Sequence, residues 1–262
     1  MTALELVDWP ADRTLALSGE ARSLRIAFEF RNPSDRPVRI GELSLTDVRG
    51  AGGEHLRHQP IPLGLIAPAK GTTRARVRLR LDPATPPGPY RGEIRLGDLS
   101  RAVAIEIVER TEVVIRPSPL VMDAALGSKQ ALAAIFENRG NVPITIDLTG
   151  RYPLGLEIPL TPDRLERPVD GVEALGALLL GRVDRPLLIE AGQVDIAGRS
   201  ERLAPGAVAT MAIDVAAPGD LAATSRYHVF APVYANDLHI VIVTAAKSKP
   251  TPRRRAKQGA AE

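Results

Sequence analysis

Few side chains in this sequence are suited to acid–base or metal chemistry. Two of its four histidines, His55 and His58, are spaced as H-x-x-H, and His239 stands two residues after Asp237. The H-x-x-H pair lies in a glycine-rich loop, where no helix or strand holds two imidazoles in the fixed geometry that a zinc site needs. The Asp237 and His239 pair has no matching serine or cysteine nucleophile. We therefore expect no catalytic residues and no metal ligands.

Other signatures of chemistry are also missing. The chain contains no cysteine, which excludes disulfides, thiolate metal ligands and cysteine nucleophiles. It has no glycine-rich phosphate loop and no dinucleotide-binding fingerprint. The sequence therefore predicts a protein that is not an enzyme and has no cofactor and no small-molecule substrate.

The most distinctive charged feature is a row of arginines at every second position. The row consists of Arg74, Arg76, Arg78 and Arg80. Apolar residues such as Val77 and Leu79 stand between them, so a β-strand would place the arginines on one face and the core residues on the other. The row is a candidate partner-binding surface, for an acidic partner or for the acidic second domain of a neighbouring molecule, because arginine pairs bidentately with carboxylates and phosphates. The alternative is a solvated sheet face that pairs across strands with acids such as Glu29 and Glu93.

A repeated motif indicates how the chain is divided. The pattern F-x-N-x-x-[DN]-x-P-[VI]-x-I occurs from Phe30 to Ile40 and again from Phe136 to Ile146. An Ala-Pro pair and a tyrosine follow each copy in the same order: Ala67-Pro68 and Tyr90, then Ala204-Pro205 and Tyr227. Because each copy of an internal repeat is one folding unit, we predict two domains, at residues 1–110 and 111–246.

The hydrophobic period around these landmarks is two. Ile26, Phe28 and Phe30 alternate with polar or small residues, and Val103, Ile105 and Ile107 do the same. This alternation is typical of half-buried strands, and proline- and glycine-rich turns separate the runs. We predict an all-β chain of two tandem immunoglobulin-like antiparallel β-sandwiches.

The second copy of the motif, F-x-N-x-G-N-x-P-[VI] from Phe136 to Ile144, resembles the tandem immunoglobulin-like domains of many bacterial and archaeal envelope and assembly proteins. In that resemblance the Asn and Gly form the turn after a central strand, and a later Y-x-G-x-I, here Tyr90 to Ile94, begins a strand near the far edge. The second copy departs from it, since Val229 replaces the glycine. The resemblance implies a fold without an active site, and by analogy a role in binding, spacing or capping other proteins.

The second copy also contains an insertion. Its motif lies 106 residues after the first motif and its Ala-Pro lies 137 residues after the first Ala-Pro, so 31 extra residues fall between Gly150 and Leu203, at about 150–203. The apolar run from Val172 to Val183 follows Asp170 and predicts a short helix, so the insertion is expected to be partly helical. Its Leu175, Leu178 and Leu179 are candidate partner-binding residues. The alternative is that the insertion folds back and caps the second sandwich.

The net charge of +3 is distributed unevenly. Residues 1–110 hold 17 basic and 14 acidic residues, residues 111–246 hold 11 and 16, and residues 247–262 hold six and one. The basic tail residues are Lys247, Lys249, Arg253, Arg254, Arg255 and Lys257. The tail has no apolar anchor, so we expect it to be flexible. It is a candidate site for non-specific nucleic acid or anionic lipid, and the alternative is a solubilising end or one that docks on the acidic second domain.

The N-terminus carries Glu5, Asp8 and Asp12 and lacks the basic and apolar regions of a secretory signal. No segment has the length of a membrane span. We expect a cytoplasmic protein, with unconventional export as the alternative. The function expected from the sequence is that of a structural or adaptor protein that binds protein partners, as a subunit or accessory factor of a larger assembly. The alternative is an anionic-surface binder that its tail recruits to nucleic acid or membrane.

Overall fold

A computed structural model describes residues 4–9, 13–97, 99–124, 127–158 and 187–245. These residues form strands and turns, and none of them is in an α-helix. The first sandwich contains β1 (Glu5–Leu6), β2 (Leu15–Gly19), β3 (Arg25–Arg31), β4 (Val38–Gly50), β5 (Ile61–Ala67), β6 (Thr72–Arg78), β7 (Gly88–Leu96) and β8 (Leu99–Ile107). The second contains β9 (Val113–Arg116), β10 (Leu120–Ala124), β11 (Lys129–Asn138), β12 (Ile144–Ile146), β13 (Gly150–Ile158), β14 (Leu187–Gly198), β15 (Glu201–Leu203), β16 (Val208–Ala216), β17 (Arg226–Val233) and β18 (Asn236–Thr244).

The period-two pattern of the sequence is the burial pattern of the strands. In β3, Ile26, Phe28 and Phe30 are buried, while Arg25 and Arg31 are exposed. The same alternation runs through the repeated counterpart β11, where Phe136 is fully buried. Successive side chains of a strand point to opposite faces, so each strand contributes one apolar face to a core. The prediction of an all-β chain with tandem immunoglobulin-like sandwiches is confirmed.

The first sandwich packs a three-stranded sheet on a five-stranded sheet. The strand orders are β1-β3-β6 and β2-β8-β7-β4-β5. Their facing side chains form one core that includes Phe30, Ile94 and Ile105. Among the described strands, β6 pairs only with β3, and β5 pairs only with β4. Both are therefore edge strands, and they lie at the same side of the sandwich.

The second sandwich has a continuous ladder where the first has two separate sheets. Its strands run in the order β10-β18-β17-β13-β14-β16-β11-β9, and β12 and β15 form a separate pair. Strand β14 joins the two layers because it pairs with β13 on one side and, through Asp195 to Gly198, with β16 on the other. A separate core that includes Phe136, Ile213 and Ile240 fills this sandwich. The two cores lie on either side of the predicted limit between residues 110 and 111, and the domain limits themselves stay a prediction.

Two strand pairs depart from the expected antiparallel arrangement. Strand β2 runs parallel to β8, and β10 runs parallel to β18. The short strands that precede them, β1 before β2 and β9 before β10, belong to the opposite layer. Strand β1 pairs with β3, and β9 pairs with β11. The chain thus crosses from one layer to the other at the start of each sandwich and then lies beside the last strand in the same direction. Period-two patterning carries no information about strand direction, so the sequence did not predict this.

The repeated asparagine connects the two landmarks of each copy. Asn32 and Asn138 are both fully buried. The Nδ2 group of Asn32 donates to the carbonyls of Ala67, at 3.1 Å, and Pro68, at 3.0 Å. The Nδ2 group of Asn138 donates to the carbonyl of Leu203, directly before the second Ala-Pro, at 3.1 Å. The F-x-N motif and the Ala-Pro pair therefore recur together because the asparagine side chain bonds to backbone carbonyls at the Ala-Pro pair or directly before it, which satisfies buried carbonyl groups.

The repeated tyrosines make backbone hydrogen bonds. The hydroxyl of Tyr90 donates to the carbonyl of Pro86 at 3.0 Å, and the hydroxyl of Tyr227 accepts from the N–H of Ala222 at 2.8 Å. Tyr152, which the sequence analysis did not single out, donates to the carbonyl of Leu148 at 3.2 Å. Burial raises the pKa of Tyr90 and of Tyr152, with nearby Glu54 and Asp147 respectively adding to it.

The motif turn of the second copy also holds the junction between the sandwiches. The side-chain Oδ1 of Asn141 accepts from the N–H of Arg110 at 2.7 Å, and its Nδ2 donates to the carbonyl of Val108 at 3.0 Å. A Cβ on Gly140 would clash with the carbonyl oxygen of Arg110. Glycine is therefore required here by close approach of the linker, and Asn141 satisfies the linker's backbone groups.

Charged side chains reinforce the same junction. The guanidinium of Arg110 contacts Glu20 and Glu112, each at 2.7 Å, and Arg22 reaches Glu112 at 2.9 Å. These residues join the first sandwich, the linker and the second sandwich. A network of partly exposed pairs stabilises more than one isolated pair, and here Arg110 and Glu112 are each held by two partners.

The described part of the insertion consists of strands. Residues 150–158 and 187–203 contribute β13, β14 and β15. The predicted helix at 172–183 and the basic tail at 247–262 lie outside the described residues.

Candidate functional site

The arginine row occupies one face of β6 and its extension. Exposed and buried residues alternate from Thr72 to Leu81, with Arg74, Arg76, Arg78 and Arg80 exposed. The residues between them, Ala75, Val77 and Leu79, are buried in the core of the first sandwich. The sequence predicted this division of faces, and the structure brings all four arginines to the outer face of the sheet.

The arginines differ in their partners. The Nε group of Arg74 donates to Glu29 Oε2 at 2.7 Å, and this hydrogen bond, together with the charge of Glu29, raises the pKa of Arg74. The Nε group of Arg78 donates to the backbone carbonyl of Arg22. Among the described residues, no carboxylate lies within salt-bridge distance of Arg76 or Arg80. The row therefore contains both paired and unpaired guanidinium groups.

One of the two acids considered in the sequence analysis pairs with the row. Glu29 lies directly opposite Arg74 in the β3–β6 ladder. Glu93 lies on β7, in the other sheet, where it accepts a hydrogen bond from Ser100 Oγ at 2.6 Å. It is therefore too far from β6 in the fold to pair with the row, and the sequence could not assign the two strands to different sheets.

The outer face of this sheet is more basic than the row alone. Arg25 lies directly opposite Arg78 on β3, and Arg31 lies opposite Thr72. Like charges directly opposite each other in an antiparallel pair are destabilising. The arrangement of Arg25 and Arg78 thus costs some stability in the free protein, and an acidic group placed between them would relieve it.

The seam between β5 and β6 is open along most of its length. At one end the N–H of Gln59 donates to the carbonyl of Arg80 at 3.1 Å, and the N–H of Asp82 donates to Arg57 at 3.2 Å. At the other end Thr73 Oγ1 donates to the carbonyl of Ile66 at 3.3 Å. Between these ends the described residues show no ladder between β5 and β6. The two strands therefore diverge.

A bulge in β5 accounts for the divergence. The β4–β5 register shifts between Ile40 and Glu42, and Gly64, on the opposing stretch of β5, has a φ of 58°. Bulges bend the strand that carries them and glycine allows the left-handed conformation. Pro62 also lies within β5. Proline occurs in sheets mainly on edge strands.

The divergence leaves a cleft of about 840 Å³ at the side of the first sandwich. Its lining is apolar toward the core and basic toward solvent. The apolar residues include Ile61, Leu63, Leu65, Ala75, Val77, Leu79 and Leu81, and the basic residues are Arg22, Arg74, Arg76, Arg78 and Arg80. Leu63 and Leu65 are only half-buried, although they pack on the core. The cleft therefore exposes the edge of the core between two strands.

Backbone groups of β6 also face this cleft. Leu79 donates its N–H to the carbonyl of Leu24, and the carbonyl of Gly71 accepts from the N–H of Asn32. Gly71 and Leu79 thus direct their backbone groups toward β3. In an antiparallel ladder this direction alternates from one residue to the next, so the backbone groups of Arg74, Arg76 and Arg78 point away from β3. No described strand pairs with that side of β6. Arginine side chains and free backbone groups therefore occupy the same edge.

The other predicted site residues stand apart from this cleft. Leu175, Leu178 and Leu179 lie outside the described residues, and so do Lys247, Lys249, Arg253, Arg254, Arg255 and Lys257. Their proposed roles stay predictions.

His55 and His58 do not form a pair of ligands. The Nε2 atom of His58 accepts a hydrogen bond from the N–H of Leu45 at 2.9 Å, so its lone pair is in use. Burial lowers the pKa of His58, and a hydrogen bond with the Leu56 backbone partly opposes this shift. His55 is exposed.

A histidine cluster that sequence reasoning did not predict lies on the second sandwich. His228 Nδ1 is 2.9 Å from His239 Nε2, and His228 Nε2 is 3.0 Å from Glu157 Oε2. The rings of Phe230 and His239 stack with centroids 4.5 Å apart. Both nitrogens of His228 are engaged by neighbours, which is the arrangement of a satisfied buried histidine. The register of β17 and β18 brings these residues together, and no local sequence pattern indicates it.

Within the described ranges, no three histidine, aspartate or glutamate residues are arranged to hold a metal ion. In the same part of the chain, no helix has the length and apolar character needed to cross a membrane.

Several solved structures are similar to this chain at low identity. The calcium-binding domain CBD12 of CALX1.1 matches 87% of this chain and 79% of its own at 8% identity, with a TM-score of 0.25. Dpr2 Ig1-Ig2, solved in complex with DIP-Theta Ig1-Ig3, matches 92% of this chain and 64% of its own at 15% identity, with a TM-score of 0.28. The match to the CupB2 chaperone of Pseudomonas aeruginosa covers 87% of this chain and 96% of the chaperone chain at 9% identity, with a TM-score of 0.21.

No family model matches the chain, and no curated protein sequence matches it either. Likenesses as distant as those to the solved structures say nothing about what the chain binds, so its function has to be inferred from its own residues.

Proposed function

We propose that this protein is a non-enzymatic protein-binding adaptor, a subunit or accessory factor of a larger assembly, whose binding surface is the open edge of the first sandwich. The observation that carries the proposal is the coincidence of an unpaired strand edge with the arginine row on β6. An exposed edge is a ready template for another chain. The unpaired Arg76 and Arg80 favour a partner that carries carboxylates.

A second interpretation is that the arginines only protect the edge of β6 from association with other strands. Charged residues on edge strands discourage edge-to-edge association of identical chains. Protection alone does not require the opposed arginines Arg25 and Arg78 on neighbouring strands. The core that is left half-covered at Leu63 and Leu65 also favours a surface that is completed by a partner.

Charge reversal on β6 tests the proposal. The variant Arg76→Glu/Arg78→Glu changes two exposed side chains and is expected to keep the fold, because neither contributes to the core. Arg91→Glu/Arg95→Glu is the control with the same change of charge, since both residues are exposed on one face of β7 in the opposite sheet. Tagged protein would be used to capture partners from nuclease-treated extract of the native cell, with quantification by mass spectrometry.

We expect the β6 variant to capture roughly tenfold less of its specific partners, or less still, because the two introduced glutamates would repel an acidic partner. The β7 variant should capture as much as the parent protein. Equal capture by both variants would refute the proposal. A third arm, truncated after residue 246, examines the alternative that the basic tail recruits the protein to an anionic surface. Loss of the co-purifying set only in this truncation would favour the tail.

A further inference from the structure

We propose that the partner binds as an extended strand that inserts between β5 and β6 and adds to the free edge of β6. This inference rests on the proposed function, since it specifies how the acidic partner is held. Three observations support it: the free backbone groups of β6, the cleft that separates β6 from β5, and the half-buried leucines at its apolar side. Strand addition uses main-chain hydrogen bonds for affinity and alternate side-chain contacts for specificity.

The edge of β6 defines what the inserted strand must look like. Its outward backbone groups belong to Arg74, Arg76 and Arg78, whose side chains point to the outer face. Neighbouring strands align their side chains in register, so alternate residues of the partner would lie beside these arginines and the residues between them beside Ala75 and Val77. The partner segment is therefore expected to alternate acidic and apolar residues over about five positions.

The second sandwich contains an intramolecular version of this arrangement. By the register of the two ladders, Phe30 pairs with Thr73 and Phe136 with Ala209, so Arg78 corresponds to Asp214 and Arg80 to Ala216. In the second copy Ala216 pairs with Asp195 and Asp214 with Ala197, on the side of β16 that faces away from β11. A strand is therefore present where the first copy has an open edge.

The strand that fills this position in the second copy alternates buried apolar residues with an outward acidic residue where it enters the seam. Val194 and Ile196 of β14 are buried in the core, with 1% and 2% of their surface exposed. Asp195 between them points outward and pairs with Arg151 at 2.8 Å. This segment lies at the end of the seam that is paired in both copies, since Asp195 corresponds to Gln59, and the open stretch of the first copy corresponds to Ala197 and Gly198 of the same strand.

A second copy of this chain is a poorer occupant than a different protein. Pairing β6 with β6 of another molecule would bring two arginine rows side by side, which like-charge repulsion disfavours. Strand β5 of another molecule carries no acidic residue, since its sequence is IPLGLIA. Charge complementarity therefore favours a heterologous acidic segment.

Synthetic peptides test the strand directly with the full-length protein. The probe is an end-blocked peptide of alternating aspartate and valine, and its matched control has the same side chains with every second backbone nitrogen methylated. N-methylation removes hydrogen-bond donors on one edge while charge and apolar content are unchanged, so one control is made for each edge of the strand. A third peptide replaces aspartate by lysine. Binding is measured by calorimetry, and amide exchange is followed by NMR.

We expect the unmethylated acidic peptide to bind and to slow amide exchange at Arg76 and Arg78 by roughly tenfold or more. At least one of the two methylated peptides should bind about tenfold more weakly than the probe, or more weakly still. The lysine peptide should not bind. If both methylated peptides bind within about twofold of the probe without protecting the β6 amides, strand addition is wrong while an acidic-partner surface stands. If no acidic peptide binds at millimolar concentration, strand addition is also wrong, and the partner-capture experiment then decides the proposed function separately.

Discussion

The seams between the two layers begin in the same way in both sandwiches and then differ. In the first, Gln59 donates to Arg80 and pairing ends there. In the second, Asp195 pairs with the corresponding Ala216 and the ladder continues to Gly198 and Ile213. The first copy has a proline on each side of Ile61, at Pro60 and Pro62, whereas Asp195 to Gly198 contains none. The comparison shows that one fold can be closed by its own strand in one copy and left open in the other.

The largest expected difference between the seams is energetic. Ile196 lies in the closed seam and is buried, whereas Leu65 lies in the open seam and is half-buried. We expect Ile196→Ala to lower the free energy of unfolding of the second sandwich by about 2–5 kcal/mol, because it leaves a cavity. Leu65→Ala should lower that of the first sandwich by about 1 kcal/mol or less, because water already reaches the site.

Urea unfolding would measure both effects. The chain has a single tryptophan, Trp9, which is buried in the first sandwich, so its fluorescence reports that sandwich and circular dichroism reports both. A cost for Leu65→Ala as large as that for Ile196→Ala would show that the first seam is closed in solution.

Amide exchange should show the next largest difference. Arg78 and Asp214 occupy equivalent positions on β6 and β16, but only Asp214 lies in a second ladder, with Ala197. We expect the Arg78 amide to exchange roughly 10- to 100-fold faster than the Asp214 amide, since it needs no strand separation to reach water. The measurement is residue-resolved hydrogen exchange by NMR without peptide. The amides of Val77 and Ile213 are the matched reference pair, because they point toward the ladders with β3 and β11 in their respective sandwiches. Equal rates for Arg78 and Asp214 would contradict an open edge.

A smaller effect is expected from pH at His58, in the seam of the first sandwich. His58 forms a bridge with Leu81 at the paired end of the open seam, and the corresponding residue of the second seam is Val194. Because burial lowers the pKa of His58 in the folded state below the usual 6.5, the unfolded chain takes up the proton first as the pH falls. The stabilisation is complete above about pH 6.5 and decreases from there down to the lower folded-state pKa.

Unfolding monitored by Trp9 fluorescence between pH 7.5 and 5 would measure this change. His58→Gln is the control, since its side-chain oxygen can accept the hydrogen bond from Leu45 but does not titrate. The variant should show a weaker pH dependence of stability than the parent. An unchanged dependence would assign it to other groups.

The sequence predicted the fold better than it predicted the site. The two-residue alternation identified the strands and the faces of β6, and the repeat identified two related units. It could not assign Glu29 and Glu93 to different sheets, because pairing between distant strands leaves no local pattern. For the same reason the parallel pairs of β2 with β8 and β10 with β18, and the contact of His228 with His239, had no signal in the sequence.

The sequence by itself determined which residues point inward, where the motif turns fall and which strand carries the arginines, since all of these depend on neighbours a few positions apart. The tertiary structure alone decided that β6 is an edge and that its seam with β5 opens. That outcome depends on which strand finds a partner across the sandwich, and in the second copy a strand from the insertion supplies this partner while in the first copy none of the described strands does. The difference in pairing, rather than in composition, sets the candidate binding edge.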